Sequence, residues 1–109
     1  MLAKKYRLPI QSVLSVRGTL MRGRYLSLKV MPGKLSYSRF GVVVGTAVDK
    51  RASARNALKR ALYNALRQRI LTQPSLDVVI TLSVAARTAA VRGILEELNQ
   101  FLDKCSTFY

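Results

Sequence analysis

The most informative stretch of the sequence is KRASARNALKRALYNALRQRIL, residues 50–71. Side chains three and four positions apart share a face of a helix, and this stretch sorts its residues by that spacing. One arc holds small or apolar side chains: Ala54, Leu58, Ala61, Leu62 and Ala65. The opposite arc holds mainly polar and basic ones: Arg55, Asn56, Lys59, Arg60, Tyr63 and Arg67. The pattern predicts a helix that packs through one face and presents cations on the other.

Strands are predicted on both sides of this helix. The segment before it, 37–45, contains the apolar run Phe40-Gly41-Val42-Val43-Val44, and the segment after it, 76–84, is rich in β-branched residues. A strand, a helix and a strand in succession favour a parallel pair joined by a crossover. Helices are then expected to cover at least one face of the sheet.

The flanking segments predict the remaining elements. Residues 22–31 alternate as in a half-buried strand, and a very short strand is expected beside it at 19–21. In the longer strand, one face is expected to carry Leu26, Leu28 and Val30. The opposite face is expected to carry Tyr25, Ser27 and Lys29. A short helix is expected at 10–17, entered through Pro9, and a last helix after Thr88 as its N-cap. The predicted order is helix, two or three strands, basic helix, strand, helix.

The charge of the chain is extreme for its length of 109 residues, since 19 Lys and Arg against five Asp and Glu give a net charge of +14. The first 75 residues hold 16 of these cations and a single acid, Asp49, whereas residues 76–109 hold three cations and four acids. A chain of this length buries one modest core, so we expect one domain spanning 1–109. Its field attracts polyanions, and nucleic acid is the commonest of these.

The chain is poorly supplied with catalytic groups. It has no histidine, which excludes the commonest general base and the His-containing zinc sites. The few carboxylates are scattered, and the adjacent pair Glu96 and Glu97 cannot face one point, so a two-metal nuclease centre is not expected. Gly41 and Gly45 match neither a P-loop nor a dinucleotide fingerprint. We therefore expect no catalytic side chain and no metal site in the protein itself.

The compartment expected from the sequence is the cytoplasm. Cys105 is the sole cysteine, so no intramolecular disulfide is expected. No apolar run approaches the roughly 18 residues that span a bilayer. The segment that follows the basic residues up to Arg7 lacks the apolar core of a signal peptide.

The basic arc of the predicted helix is suited to binding phosphate groups. Arginine grips phosphate oxygens with paired N–H groups, and lysine adds a point charge. Asn56 can hydrogen-bond a phosphate or a 2′-hydroxyl, and Tyr25 can stack on an unpaired base. A solvated basic face without a fixed partner is the alternative. It is disfavoured because a helix stabilised by its own ion pairs would carry Glu four positions from Lys.

The sequence also resembles the bacterial ribonuclease P protein subunit family over nearly its whole length. The matching motifs are Arg7-Leu8, Gly18, Arg39-Phe40-Gly41-Val42, Arg55-Asn56, Lys59-Arg60 and Leu76-Asp77-Val78-Val79-Ile80. The basic signature of the family runs Arg-Asn-Arg-x-x-Lys-Arg or closely similar. Ala57 stands here where the family usually has a third arginine.

The resemblance implies an α+β fold, an α-β-β-β-α-β-α sandwich with a left-handed β-α-β crossover that carries the basic helix. It implies an accessory subunit of a ribonucleoprotein endoribonuclease that removes the 5′ leader of precursor tRNA. In that family a large RNA performs the hydrolysis with bound Mg²⁺, so Mg²⁺ is expected on the RNA partner and not on the protein. The expected partners are this catalytic RNA and precursor tRNA, with no membrane and no small-molecule substrate.

The helix pattern and the resemblance together give one set of site residues, and the resemblance alone implies a second. The residues expected to bind the catalytic RNA are Lys50, Arg51, Arg55, Asn56, Lys59, Arg60 and Arg67. Those expected to border a cleft for the single-stranded leader are Val13, Tyr25, Leu28 and Phe40.

Two other functions remain open at this point. A structural RNA- or DNA-binding protein, ribosomal or nucleoid-associated, would need the same charge and have no processing role. The nucleic acid that copurifies with the chain separates the two, since one discrete structured RNA favours the processing role. Adhesion to anionic membranes is a third possibility. The Ala-rich apolar face of the basic helix is a poor anchor for it.

Overall fold

The structure is a computed structural model that describes residues 6–8, 18–33, 37–69 and 76–108. Within these residues lie four strands, two α-helices and a short 3₁₀ helix at Val84–Arg87. The strands are β1 (Thr19–Arg22), β2 (Leu26–Pro32), β3 (Arg39–Val43) and β4 (Leu76–Leu82), and the helices are α1 (Ala52–Arg67) and α2 (Val91–Phe108). The helix predicted at 10–17 lies outside the described residues.

The four strands form one sheet in the order β1-β2-β4-β3. β1 pairs with β2 and β2 with β4 in antiparallel fashion, whereas β3 and β4 run parallel and are connected through α1. The predicted parallel pair joined by the basic helix is therefore confirmed. The segment predicted as one strand at 22–31 is divided between two strands, because Arg22 ends β1 and Leu26 begins β2. A turn joins them, in which the backbone N–H of Gly23 donates to the carbonyl of Leu26 at 2.9 Å.

The main core lies between the helices and one face of the sheet. The alternating residues Leu26, Leu28 and Val30 are fully buried on this face, as the period of a half-buried strand requires. They share one apolar cluster with Leu62, Leu66, Ile94 and Leu98 of the helices and with Phe40, Val78 and Ile80 of the other strands. α1 packs on β3, and α2 packs on β2. We call this side of the sheet the helix face; the other side, on which no helix of the described residues contributes to the apolar cluster, we call the open face.

The open face has a smaller apolar cluster. Leu8, Met31 and Val79 are buried together, with Val43 against them. The N–H of Leu8 donates to the carbonyl of Phe40 at 2.8 Å, which holds residues 6–8 beside β3. On the same face Arg39 donates two hydrogen bonds to the carboxylate of Asp77, at 3.1 and 2.9 Å.

Tyr63 occupies a different place from the one predicted. It was expected on the basic arc of the helix, but it is buried beside Leu62 and Leu66, and its hydroxyl accepts a hydrogen bond from the N–H of Val42 at 3.2 Å. The ring contributes apolar area to the core, while the hydroxyl satisfies a buried N–H next to the crossover. The packed arc of α1 is consequently wider than the row of alanines and leucines indicates.

Glu97 of α2 holds the turn between β1 and β2. Its carboxylate accepts backbone N–H groups from Arg24 at 3.2 Å, Tyr25 at 2.9 Å and Leu26 at 3.1 Å. A Cβ at Gly23 would overlap this carboxylate and the ring of Phe101, so any larger residue there would displace the two side chains that hold the turn. The helix and the hairpin are thus joined by charge-assisted hydrogen bonds as well as by apolar packing.

Within the described part of the chain, neither helix has the length and apolarity needed to cross a membrane.

Candidate nucleic-acid interface

Every Asp and Glu side chain has a hydrogen-bond or ion-pair partner within the protein. Glu97 accepts the turn N–H groups, and the other four acids form ion pairs. The pairs are Asp49 with Arg51, Asp77 with Arg39, Asp103 with Arg69 and Glu96 with Arg92. Since the chain has only five acids against 19 cations, most of its positive charge has no internal carboxylate to neutralise it. The surface potential is therefore available to an external polyanion.

An exposed stripe on α1 carries part of this charge. Asn56, Arg60 and Arg67 are all exposed, and they are spaced by four and seven positions along one side of the helix. We call these three residues the basic stripe. It extends over about 16 Å at the helical rise of 1.5 Å per residue. The side chain of Ala57 is also exposed and adds no bulk, so the backbone of a nucleic acid can approach the helix closely here.

Arg55 and Lys59 do not belong to this stripe, although both were predicted on the same face. Both are half-buried, and Arg55 lies on the side of the helix that carries Leu62 and Leu66. Arg55 Nη1 donates hydrogen bonds to the carbonyl oxygens of Asp49 at 3.0 Å and Lys50 at 2.9 Å. Its guanidinium therefore holds the loop that precedes α1.

This loop presents two further cations, Lys50 and Arg51, both exposed. The Asp49 carboxylate accepts the N–H of Arg51 at 3.0 Å and two hydrogen bonds from its guanidinium. The hydrogen bond from the Arg51 side chain is the main cause that lowers the pKa of Asp49 below its ordinary value of 3.8. The buried side chain of Val48 fixes the loop from below. The loop is thus ordered by its own contacts before any ligand binds.

The residues predicted to border the leader cleft are dispersed. Val13 lies outside the described residues. Leu28 and Phe40 are each 0 % exposed in the core against the helices, so they offer no surface to a ligand. Tyr25 is half-buried against the same core, with the Arg24 guanidinium 5.3 Å from its ring centroid. Tyr25 was expected on the opposite side from Leu28; it precedes β2 and does not follow the alternation of that strand.

The open face presents polar side chains that the sequence reasoning missed. Arg22, Ser27 and Thr81 lie in one row across β1, β2 and β4 by the register of the sheet. Lys29 and Leu20 form the adjacent row. Alternation gave the signal, since Ser27 and Lys29 were placed on the polar side of their strand. It could not show which face the helices would cover.

The carboxylates do not fit a magnesium site. Asp49, Asp77, Glu96 and Asp103 each face a cation of the protein. In the described portion of the molecule, no three His, Cys, Asp or Glu side chains come together in a group that could hold a metal ion.

The fold and this surface define a class: a small basic α+β protein built to bind nucleic acid. The family model described as Ribonuclease P matches residues 5–106. Among curated proteins, the Ribonuclease P protein component of a Pseudanabaena species is 33% identical over 96 residues, covering 85% of this chain and 82% of that protein. The protein of the same name from an Azoarcus species is 32% identical over 93 residues, covering 85% and 77%.

Solved structures show the same fold. The RNase P protein of Staphylococcus aureus superposes with a TM-score of 0.84 at 18% identity, covering 95% of this chain and 98% of that one. The RNase P protein of Thermotoga maritima gives a TM-score of 0.79 at 22% identity, covering 90% and 96%. The chain belongs to the ribonuclease P protein family, which confirms the resemblance found in its sequence. It is thus of the kind that forms the RNA-binding protein component of a tRNA-processing ribonuclease.

Proposed function

We propose that this protein assists a catalytic RNA in removing the 5′ leader of precursor tRNA, by binding both that RNA and the leader. The observation that carries the proposal is that each of the five Asp and Glu side chains already has a partner within the protein, while most of the 19 cations have no carboxylate to neutralise them. Such a surface has many cations to bind phosphates, and its few carboxylates face cations or backbone N–H groups instead of converging on one point, as a hydrolytic metal centre requires. The hydrolysis and the Mg²⁺ ions it requires are accordingly assigned to the RNA.

The catalytic RNA binds the basic stripe and the loop before α1. Asn56, Arg60 and Arg67 are exposed along one side of a rigid helix, and Lys50 and Arg51 continue the charge at its N-terminal end. Phosphate contacts of this kind position an RNA without reading its sequence. Neutralising phosphates also lets two RNAs approach each other at a lower Mg²⁺ concentration.

The leader is assigned to the open face of the sheet. The helix face is filled by α1 and α2, so Leu28 and Phe40 cannot serve. The open face offers Arg22 for a phosphate and Ser27 and Thr81 as hydrogen-bonding groups in the same row. A row that combines a cation with small polar groups can hold the backbone of an extended single strand through phosphate and sugar contacts.

The test is leader removal by the cognate catalytic RNA over a series of Mg²⁺ concentrations, with and without the protein. We expect the protein to lower the Mg²⁺ concentration at which the leader is removed. At high Mg²⁺ the rates with and without the protein should be similar. Paired substitutions separate the two surfaces. Arg60→Gln should weaken binding of the catalytic RNA. Arg22→Gln should raise the KM for substrates that carry a leader and leave the inhibition constant of mature tRNA, the product, unchanged. No effect of the protein at any Mg²⁺ concentration would remove the proposal.

A further inference from the structure

A recess of about 420 Å³ lies beside the loop that precedes α1. Six of its lining residues come from that loop, and the seventh comes from the 3₁₀ helix between β4 and α2. The lining residues are Thr46, Ala47, Val48, Asp49, Lys50, Arg51 and Arg87. Two segments far apart in the sequence therefore form one surface.

Both walls of the recess are held in place from within the protein. On the loop side, Val48 is buried and the Arg55 guanidinium binds the carbonyls of Asp49 and Lys50. On the other side, Ala86 is buried, which leaves the neighbouring Arg87 exposed. The 3₁₀ helix is fixed at its start by Ser83, whose N–H donates to the carbonyl of Tyr25 at 2.8 Å. The geometry of the recess does not depend on a ligand to form it.

The charge of the recess is positive. Three cations line it against one acid, and that acid, Asp49, is already paired with Arg51 at 3.1 Å. Lys50 and Arg87 are exposed on its two sides, and neither forms an ion pair among the described residues. The remaining walls are Thr46, Ala47 and Val48, with no aromatic ring on which a base could stack. This lining favours a phosphate group over a nucleobase.

We propose that this recess binds one phosphodiester segment of the partner RNA, with Arg87 as a contact residue outside the basic helix. The inference rests on the proposed function, because it takes the RNA bound at the basic stripe as the occupant. Its volume lies within the roughly 300–1,000 Å³ range of ligand pockets and accommodates a sugar with its phosphate. The RNA contact then continues from α1 across the loop to the connection between β4 and α2.

The test compares Arg87→Gln with Arg92→Gln in the full chain. Both substitutions remove one positive charge from an exposed arginine, but Arg92 pairs with Glu96 on α2 and does not line the recess. The affinity for the cognate catalytic RNA is measured over a salt series. We expect Arg87→Gln to bind several-fold more weakly and to reduce the slope of log K against log salt by about 0.7–0.9, the value of one phosphate contact. Arg92→Gln should retain the wild-type slope.

Two results would overturn the inference, and both are distinguishable from failure of the proposed function. If Arg87→Gln behaves as Arg92→Gln while Arg60→Gln still loses slope, the recess is not an RNA contact and the basic stripe is. If inorganic phosphate shifts the amide signals of Lys50 and Arg87 saturably but Arg87→Gln leaves the RNA slope unchanged, the recess is a free-phosphate site only. If Arg60→Gln, Arg87→Gln and Arg92→Gln all keep the wild-type salt slope, the result instead counts against the proposed function.

Discussion

Arg55 and Lys50 are joined by a hydrogen bond of 2.9 Å from the Arg55 guanidinium to the main-chain carbonyl oxygen of Lys50. A residue of the basic signature is thus directed into the protein, where it shapes the loop that carries the exposed cations. Arg60, five positions further along α1, is exposed. The two arginines of one motif have different roles, because Nη1 of Arg55 already binds main-chain carbonyl oxygens, whereas the exposed Arg60 can direct its guanidinium to an external phosphate.

This difference predicts opposite effects of two equivalent substitutions. Arg55→Ala should lower the free energy of unfolding by about 1–2 kcal/mol, because two hydrogen bonds to carbonyls are lost. Arg60→Ala should change that free energy by less than about 0.5 kcal/mol, as is usual for a surface site. In RNA binding, Arg60→Ala should reduce the salt slope, whereas Arg55→Ala should reduce affinity with little change of slope. Chemical denaturation and salt-dependent binding measure the two quantities. Equal slopes in the two variants would contradict the assignment.

The link between Glu97 and the β1–β2 turn predicts a large loss of stability. Glu97→Ala leaves the N–H groups of Tyr25 and Leu26 without their acceptor. We expect the free energy of unfolding to fall by about 2–3 kcal/mol, since unsatisfied buried donors are costly. Glu96→Ala is the matched control, because Glu96 is exposed and only pairs with Arg92 at 3.7 Å. Its effect should stay within about 0.5 kcal/mol. Comparable losses in the two variants would show that the turn does not depend on Glu97.

The ion pair at the start of α1 predicts a pH response of the loop. The Arg51 guanidinium holds the pKa of Asp49 below its ordinary value of 3.8. A lowered folded-state pKa stabilises the protein above the unfolded-state value, and this contribution is lost as the pH falls through the folded-state value. We expect carboxyl NMR titration to place Asp49 below 3.8 and Arg51→Gln to return it toward that value. An unchanged titration in Arg51→Gln would mean that Arg51 is not the cause.

Ala57 offers a gain-of-function prediction. It is exposed beside the basic stripe, at the position where the family usually carries a third signature arginine. Ala57→Arg should tighten binding of the catalytic RNA several-fold and steepen the salt slope by about 0.7–0.9. Ala57→Gln supplies a long polar side chain without the charge and should leave the slope unchanged. An arginine that binds no better than glutamine would place this position outside the RNA contact.

The sequence predicted the architecture well because the sheet and helices depend on periodic patterns. The crossover through α1 followed from the apolar strands on either side of the basic helix, and the alternation of Leu26, Leu28 and Val30 identified one buried face. The faces of α1 were predicted less well. Alanine is weakly apolar, so the row Ala54, Ala61 and Ala65 marks the flank of the packed arc and not its centre, which lies nearer Leu62 and Leu66.

The candidate site could be predicted only where it depends on local pattern. Arg60 and Arg67 were found from charge and spacing on one helix. The inward turn of Arg55 and the role of Glu97 were missed, because their acceptors and donors are main-chain atoms that leave no mark in the side-chain sequence. Leu28 was assigned to the leader cleft from the family resemblance, whereas the structure buries it on the face that the helices cover.

The position of β4 in the sheet has a consequence for synthesis of the protein. β4 lies between β2 and β3, and among the four described strands it is the one that pairs with β3. On the ribosome, the sheet therefore cannot be completed until residues 76–82 have emerged, by which time 16 of the 19 cations are already outside. The nascent chain presents an unfolded polycation before its acid-bearing last third arrives. Long-range pairing of this kind also slows folding, so the newly made chain is exposed to stray polyanions during translation.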